Sequence, residues 1–279
     1  MLDNFEQYLN NYTYGPKGSV LEAVKYSILN PGKRIRPMIL LTLLKDYNIN
    51  LELGYSSALA IEMIHNYSLI HDDLPAMDND DYRRGKLSNH KVFGEDIAIL
   101  AGDALLTEAF ATISNDVQLD AEVKVKLISL LSKHAGINGM IYGQQLDLTY
   151  ENMPVGIEEI DQINIYKTSN LIMFAMAAAA IIAKKSEDLD NLSLLAQKLG
   201  LAFQIQDDIF DVTKTFEQLG KKPSDVLNDK STYVKVLGLE KSQSILEELF
   251  SYCYKITKDL NIESYNIIDL IKNIQIRIN

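Results

Sequence analysis

Acidic residues cluster in one short segment in the first third of the chain. Asp72, Asp73 and Asp78 follow an apolar stretch, and Asp80 and Asp81 come directly after them. At an effective dielectric constant near 20, two carboxylates about 4 Å apart repel each other by roughly 4 kcal/mol. A divalent cation offsets this repulsion, and a ligand set made of oxygen atoms suits Mg²⁺. The segment therefore predicts a magnesium site, with a solvated acidic helix end as the alternative.

A second acidic segment lies much later in the chain. Gln204, Asp207, Asp208 and Asp211 are spaced so that they form one stripe of a helix. The residues around them are apolar, so this helix should be buried. Because a buried and unpaired carboxylate costs several kcal/mol, the stripe should face a wet cavity, cations or both. A structural ion-pair network is the alternative.

Basic residues gather in the segment 32–37 and after the first acidic segment. Lys33 and Arg36 are three residues apart near a predicted helix start, where backbone N–H groups also attract anions. Arg83 and Arg84 are adjacent, and guanidinium groups can bind phosphate through paired hydrogen bonds. The chain has 27 basic and 38 acidic residues and a net charge of −11. Against this negative background the basic groups predict a local anion site, with a solvated basic cluster as the alternative.

Helices should position these groups, because apolar residues recur at helical spacing over long segments and no strand pair is expected. Pro75 should break the helix before it, so that Asp78 joins the site from an irregular helix end. Glu62, His65 and Asp72 should share one face of that helix, with His65 and Asp72 about 10 Å apart along the axis. The predicted helices cover residues 18–29, 34–47, 51–74, 92–114, 118–135, 137–149, 159–184, 189–214, 231–238, 240–259 and 263–276.

Composition narrows the class of protein. The chain is 47% hydrophobic and 23% charged, as in ordinary globular proteins, and its net charge argues against a nucleic-acid binder. Cys253 is the one cysteine, which excludes an intramolecular disulfide. The longest apolar run, Leu171 to Ala183, is too short for a membrane anchor and is interpreted as a buried helix. The first residues show no signal-peptide pattern, so we expect a cytoplasmic protein with one domain, residues 1–279.

Three motifs together resemble the trans-isoprenyl diphosphate synthases. They are Gly-Lys-Arg-x-Arg-Pro, Asp-Asp-x-x-x-x-Asp followed by Arg-Arg-Gly, and the late Asp-Asp-x-x-Asp. The resemblance runs in the family's order from about Asn30 to Leu237. It includes His65, Gly102 to Leu106, Lys167 with Thr168, and Lys230 to Tyr233. The segment Tyr67 to His71 most resembles the bacterial farnesyl diphosphate synthases.

This resemblance implies an all-α fold of the isoprenoid-synthase type, with about ten core helices around a deep central cavity, in a homodimer. It implies a Mg²⁺-dependent head-to-tail condensation of isopentenyl diphosphate with the allylic dimethylallyl and geranyl diphosphates. Diphosphate leaves the allylic substrate, the double bond of isopentenyl diphosphate attacks the resulting cation, and a proton is lost. The implied product is farnesyl diphosphate, with three Mg²⁺ ions present once substrate is bound.

Residue roles follow from the resemblance position by position. The implied metal ligands are Asp72, Asp73, Asp78, Asp207, Asp208 and Asp211. The implied side chains for the allylic diphosphate are Arg83, Lys167, Lys221 and Lys230, and those for isopentenyl diphosphate are Lys33, Arg36, His65 and Arg84. Thr168 and Gln204 would turn oxygen dipoles toward the developing cation. Tyr67 and Ser68 would form the floor that sets product length.

Three other functions stay open at this point. The same chemistry could give geranylgeranyl diphosphate. A terpene cyclase also ionises a prenyl diphosphate, but it would not need a second diphosphate site at Lys33, Arg36 and His65. A non-catalytic partner subunit would tend to lose one acidic motif, whereas both motifs are whole here. Gly143 and Gln144 are interpreted as structural.

Overall fold

The computed structural model describes residues 1–12, 15–213 and 231–276, and this part of the chain is almost entirely helical. The α-helices are α1 Leu2–Asn11, α2 Ser19–Ile28, α3 Ile35–Asp46, α4 Tyr55–Asp72, α5 Asn89–Phe93, α6 Glu95–Ser114, α7 Ala121–Ala135, α8 Met140–Thr149, α9 Ile157–Asn164, α10 Asn170–Ile182, α11 Leu189–Thr213, α12 Tyr233–Leu237, α13 Leu239–Thr257 and α14 Asn266–Gln275. Short 3₁₀ turns cover Leu51–Gly54 and Ser186–Asp188, and a π-helical turn covers Ile165–Ser169. The predicted all-α fold is confirmed.

Helix α4 runs through the middle of the bundle and packs against α3, α6 and α10. Its apolar residues Leu59, Ile61 and Met63 are fully buried, and burying each such side chain contributes roughly 1.5–3 kcal/mol. Helix α10 is buried along most of its length, as its apolar sequence predicted. One continuous apolar cluster extends from Phe5 in α1 to Ile274 in α14. This continuity supports the single-domain organisation, which stays a prediction.

Two elements were missed by the sequence prediction. Helix α1 precedes the first predicted helix, and it buries two apolar residues, Phe5 and Leu9, which is too few for a clear period. A two-stranded ribbon joins β1 Tyr82–Arg83 to β2 Lys86–Leu87, where no strand pair was expected. Its turn consists of Arg84 and Gly85, which both have positive φ, as a type I′ hairpin turn requires. Strands of two residues show no alternating pattern.

The predicted helix 159–184 contains a π-helical turn at two residues for which the family resemblance implies a role. The π-helical turn between α9 and α10 contains Lys167 and Thr168, and such turns are frequent at functional sites. Gly143 permits α8 to lie close to this π-helical turn, because a Cβ atom at Gly143 would collide with the backbone nitrogen of Lys167. This contact agrees with the structural role predicted for Gly143.

Two helical stretches, Glu95–Ser114 and Ile157–Ile182, are long and apolar enough to cross a membrane by length and composition alone. The uninterrupted apolar run from Leu171 to Ala183 is shorter than the helical stretch that contains it, because that stretch also includes polar residues. In Ile157–Ile182, 67% of the most apolar 18-residue segment is buried inside the fold. A core helix of a folded domain has this property.

Candidate active site

Both acidic segments line one cavity of about 930 Å³. Its acidic lining residues, which we call the polar end of the cavity, include Asp72 at the end of α4, Asp78 in the turn after it, and Asp207, Asp208 and Asp211 from α11. Its apolar walls include Leu106, Met140, Leu148, Ile160 and Leu171. The prediction that the α11 stripe faces a cavity is confirmed. A pocket of this size with convergent polar groups is typical of a small-molecule site.

The end of α4 brings two carboxylates of the first motif to the cavity. The helix ends at Asp72, shortly before Pro75, as that proline predicted. The chain then turns back, and the backbone N–H of Asp78 donates a hydrogen bond to the carbonyl oxygen of Asp72 at 2.9 Å. Asp72 and Asp78 therefore line the same wall although they are six positions apart in the sequence.

Asp73 lies outside this cavity. Its side chain is buried, at 2% exposure, and accepts hydrogen bonds from Arg83, with Nε at 2.9 Å from Oδ1. Burial raises the pKa of Asp73 to about 6, while Arg83 acts in the opposite direction. The carboxylate is thus ionised at neutral pH and anchors Arg83, which itself lines the cavity. This placement disagrees with the implied role of Asp73 as a metal ligand, because the carboxylate is directed toward Arg83.

Lys167 and Asp72 belong to a polar group that the sequence prediction only partly identified. Nζ of Lys167 is 2.7 Å from Oδ2 of Asp147 and 3.5 Å from Oδ2 of Asp72. Gln144, which was interpreted as structural, donates a hydrogen bond to Asp72. Gln144 and Asp147 are three residues apart on α8 and both line the cavity. The sequence signal that could have identified Gln144 and Asp147 is that two polar residues three positions apart in a predicted helix lie on the same face of that helix.

The carboxylates of the second motif differ in their contacts. Asp208 accepts a hydrogen bond from the backbone N–H of Tyr233 at 2.9 Å, and the hydroxyl of Tyr233 donates to Asp161 of α9. Asp208 therefore joins α11 to the start of α12, in addition to lining the cavity. The two implied dipole residues, Thr168 and Gln204, also line it. Two implied substrate ligands, Lys221 and Lys230, lie outside the described residues.

Arg36, His65 and Arg84 form a cationic group at the same cavity. Nη2 of Arg84 is 3.3 Å from Nε2 of His65, and Arg36 and His65 both line the cavity. Burial and the nearby Arg84 lower the pKa of Arg36 to about 10, so its guanidinium stays charged at neutral pH. Its Nε atom is buried without a hydrogen-bond partner in the described part of the chain. An unsatisfied buried donor within a cationic group indicates an anion site.

The loop before α3 differs from its prediction. Helix α3 begins at Ile35, so Lys33 precedes it and does not share a helical face with Arg36. Arg34, between them, has a left-handed backbone with φ 45° and ψ 36°. Glu62 was expected on the same face of α4 as His65 and Asp72. It is buried, and its Oε1 atom forms an ion pair with Nη1 of Arg34 at 2.6 Å.

The two predicted floor residues, Tyr67 and Ser68, line the cavity one turn before Asp72. Tyr67 is 6% exposed, and its ring packs edge-on against His71 with 5.7 Å between the ring centroids. Among the described residues its hydroxyl has no hydrogen-bond partner. The ring therefore acts on the cavity through its volume. Ser68 donates a hydrogen bond to the carbonyl oxygen of His65 at 2.9 Å.

The donor chemistry of the polar end fits Mg²⁺. The carboxylates of Asp72, Asp78, Asp207 and Asp211 all line the cavity. Within residues 1–12, 15–213 and 231–276, no group of three acidic, histidine or cysteine side chains converges closely enough to hold an ion. Mg²⁺ commonly binds one or two carboxylates and completes its shell with waters and substrate phosphates. These residues therefore fit Mg²⁺ that is shared with a phosphorylated substrate.

His65 should make the stability of the protein depend on pH. Loss of hydration, reinforced by Arg36 and Arg84, holds the pKa of His65 well below its usual 6.5. Below pH 6.5 the unfolded chain binds a proton there that the folded protein does not bind. The free energy of unfolding therefore falls as pH decreases, by up to about 1.4 kcal/mol per pH unit.

We expect His65→Gln to reduce this loss by about 1 kcal/mol between pH 6.5 and 5.5, because a single proton uptake is removed. Urea unfolding of both proteins at pH 7.5, 6.5 and 5.5 measures the difference. His90 and His134, whose pKa values are also lowered, are common to both proteins and cancel in the comparison. Parallel pH curves would contradict the prediction.

Known proteins resemble this chain over nearly its whole length. It is 49% identical to the farnesyl diphosphate synthase of Micrococcus luteus, over 95% of this chain and 91% of that protein. It is 44% identical to geranylgeranyl pyrophosphate synthase 7 of Arabidopsis thaliana, over 82% and 68% of the two chains. A geranyltransferase from Helicobacter pylori, solved in complex with magnesium and isoprenyl diphosphate, superposes with a TM-score of 0.85 at 33% identity. That comparison covers 98% of this chain and 93% of the other.

The family model described as Polyprenyl synthetase matches residues 18–266. This range contains the two acidic motifs and the cationic group around Arg36, His65 and Arg84. The chain belongs to the polyprenyl synthetase family.

Proposed function

We propose that this protein condenses isopentenyl diphosphate with dimethylallyl diphosphate and then with geranyl diphosphate, giving farnesyl diphosphate. The observation that supports this proposal is that an acidic group and a cationic group of side chains meet at one cavity that also has apolar lining. Asp72, Asp78 and the aspartates of α11 form the acidic group; Arg36 and His65 line the cavity in the cationic group, and Arg84 contacts His65. Two diphosphates could therefore bind side by side, with the hydrocarbon chain in the cavity. The similarity to a farnesyl diphosphate synthase supports the product.

In this proposal the acidic residues bind the metal and the basic residues bind the leaving group. Asp72, Asp78 and Asp207 would be the chief Mg²⁺ ligands, with Asp208 and Asp211 in support. When bound, Mg²⁺ supplies positive charge to the diphosphate oxygens as the allylic carbon–oxygen bond breaks. Arg83 and Lys167 would donate hydrogen bonds to the same diphosphate. Lys167 is held by Asp147 and Asp72, so it is already positioned at the polar end of the cavity.

The reaction balances without a further reactant. The bonding electrons of the allylic carbon–oxygen bond leave with diphosphate, and the double bond of isopentenyl diphosphate forms the new carbon–carbon bond. A proton then leaves the carbon next to the new cation, with the released diphosphate as its acceptor. Thr168 and Gln204 border the cavity where their oxygen dipoles would favour the developing positive charge.

The experiment is an incubation of purified protein with Mg²⁺ and both substrates, separately and together. We expect release of diphosphate only when isopentenyl and dimethylallyl diphosphates are both present, and none in excess EDTA. Release from an allylic diphosphate alone would indicate a cyclase instead. Absence of release under every condition would indicate a non-catalytic partner subunit. Chromatography of the dephosphorylated product distinguishes farnesyl from geranylgeranyl diphosphate.

We also propose a homodimer and a cytoplasmic location, as the family resemblance implies. Helix α6 presents Ile99 and Leu100 at 44% and 51% exposure, and a second copy could cover this apolar surface. Sedimentation equilibrium distinguishes a dimer from a monomer, and cell fractionation tests the location.

A further inference from the structure

Helix α1 contacts Arg34, which lies between the implied substrate ligands Lys33 and Arg36 in the sequence, although α1 lies before the part of the chain that the family model matches. Phe5 and Leu9 of α1 are fully buried in the apolar core. The hydroxyl of Tyr12, directly after the helix, donates a hydrogen bond to Glu108 of α6 at 2.6 Å. The position of α1 is therefore held by core packing along the helix and by a hydrogen bond just after its C-terminal end. Between these contacts Glu6 reaches the guanidinium of Arg34.

Arg34 is an internal connector rather than a ligand for substrate. It is 3% exposed, and its Nε donates to Oε1 of Glu6 at 2.8 Å. Its Nη1 donates to Oε1 of Glu62 at 2.6 Å, and its Nη2 donates to the carbonyl oxygen of Ile28 at 2.8 Å. The guanidinium thus joins α1, the end of α2 and α4. Its donors are directed into the protein although Lys33 and Arg36 flank it in sequence.

The backbone conformation of Arg34 affects the positions of the residues next to it in the sequence. Its left-handed φ and ψ are unfavourable for a residue with a Cβ atom, so they persist where surrounding contacts hold them. Arg34 lies between Lys33 and the start of helix α3, so its backbone conformation sets the direction of Lys33 relative to Arg36 on that helix. Glu62 is one turn before His65 on α4, so the same guanidinium also relates Arg36 to His65. Contacts to Arg34 therefore control the geometry of all three groups.

We propose that Glu6 is a positioning residue for isopentenyl diphosphate, acting through Arg34 on Lys33 and Arg36. This inference rests on the proposed role of those two residues as isopentenyl diphosphate ligands. The side chain of Glu6 is 34% exposed, whereas that of Glu62 is 3% exposed. Removal of Glu6 leaves Arg34 paired with Glu62, so the arginine keeps a buried counter-charge and the fold should survive. Glu62 is unsuitable for the same test. Its removal would leave the buried guanidinium of Arg34 without its buried counter-charge, so a loss of folding could not be distinguished from a loss of substrate positioning.

The test compares Glu6→Ala with Asp3→Ala, which removes the same charge from an exposed position on the same helix. We expect Glu6→Ala to raise the KM for isopentenyl diphosphate by about 3- to 10-fold, the effect of one lost hydrogen bond. The KM for dimethylallyl diphosphate should change by less than about twofold, and Asp3→Ala should match wild type. Glu6→Gln keeps an oxygen acceptor for Arg34, so its KM for isopentenyl diphosphate should be close to that of wild type. Thermal unfolding of each variant checks folding.

Equal increases in KM for both substrates would show a general structural effect and overturn the proposal, as would an unchanged KM for isopentenyl diphosphate. Should Glu6→Ala fail to fold, Glu6→Asp, which keeps the charge but shortens the side chain, serves as the deciding variant with the same expected increase. Arg36→Ala belongs in the same series. If Arg36→Ala leaves the KM for isopentenyl diphosphate unchanged, the proposed site is wrong. If Arg36→Ala raises it and the Glu6 variants do not, the inference about Glu6 alone is wrong.

Discussion

Asp72→Ala and Asp207→Ala should each lower kcat by about 10²- to 10³-fold, the effect of removing one group that stabilises charge in a transition state. The two carboxylates border the same cavity from α4 and α11, and both should contact Mg²⁺ bound with the allylic diphosphate. Folding should survive, because Ala favours helix. In Asp72→Ala, Lys167 also keeps its ion pair with Asp147.

Steady-state kinetics at saturating Mg²⁺, together with thermal unfolding, measure this effect. Asp190→Ala is the matched control, since Asp190 is an exposed aspartate in the first turn of α11, the helix that carries Asp207. It should keep wild-type kcat. If Asp72→Ala or Asp207→Ala retains more than about a tenth of wild-type turnover, worth about 1.4 kcal/mol, the ligand assignment is wrong for that residue.

Tyr67→Ala should shift the product from farnesyl toward geranylgeranyl diphosphate or longer chains. The ring of Tyr67 borders the cavity five residues before Asp72 and packs on His71. Removing it extends the apolar space in the direction in which the hydrocarbon chain should grow. Such a truncation of a buried aromatic residue costs about 3–5 kcal/mol when the void stays empty. A bound longer chain would fill that void.

Tyr67→Phe is the control that separates volume from polarity. Because the Tyr67 hydroxyl has no hydrogen-bond partner in the described structure, its loss should leave the product at fifteen carbons. Chromatography of the dephosphorylated products of both variants decides the matter. A folded Tyr67→Ala protein whose product still stops at fifteen carbons would show that Tyr67 is an ordinary core residue.

Several features of this protein were determined by its sequence alone. Long helices follow from the apolar period, which is a local property, and the break after Asp72 follows from the steric effect of Pro75. The prediction that the Asp207 stripe faces a cavity followed from the free-energy cost of burying carboxylates within an apolar helix. These inferences need no knowledge of which helices are neighbours.

The tertiary structure decided which of the candidate groups face the cavity. Asp72 and Asp73 are adjacent, and the end of α4 directs one to the cavity and the other to Arg83. Gln144 lies 72 positions after Asp72 in the sequence, so its hydrogen bond to that aspartate depends on how α8 packs. Glu6 reaches Arg34 across 28 positions. Such contacts are set by the packing of whole helices, and the local spacing of residues does not contain that information.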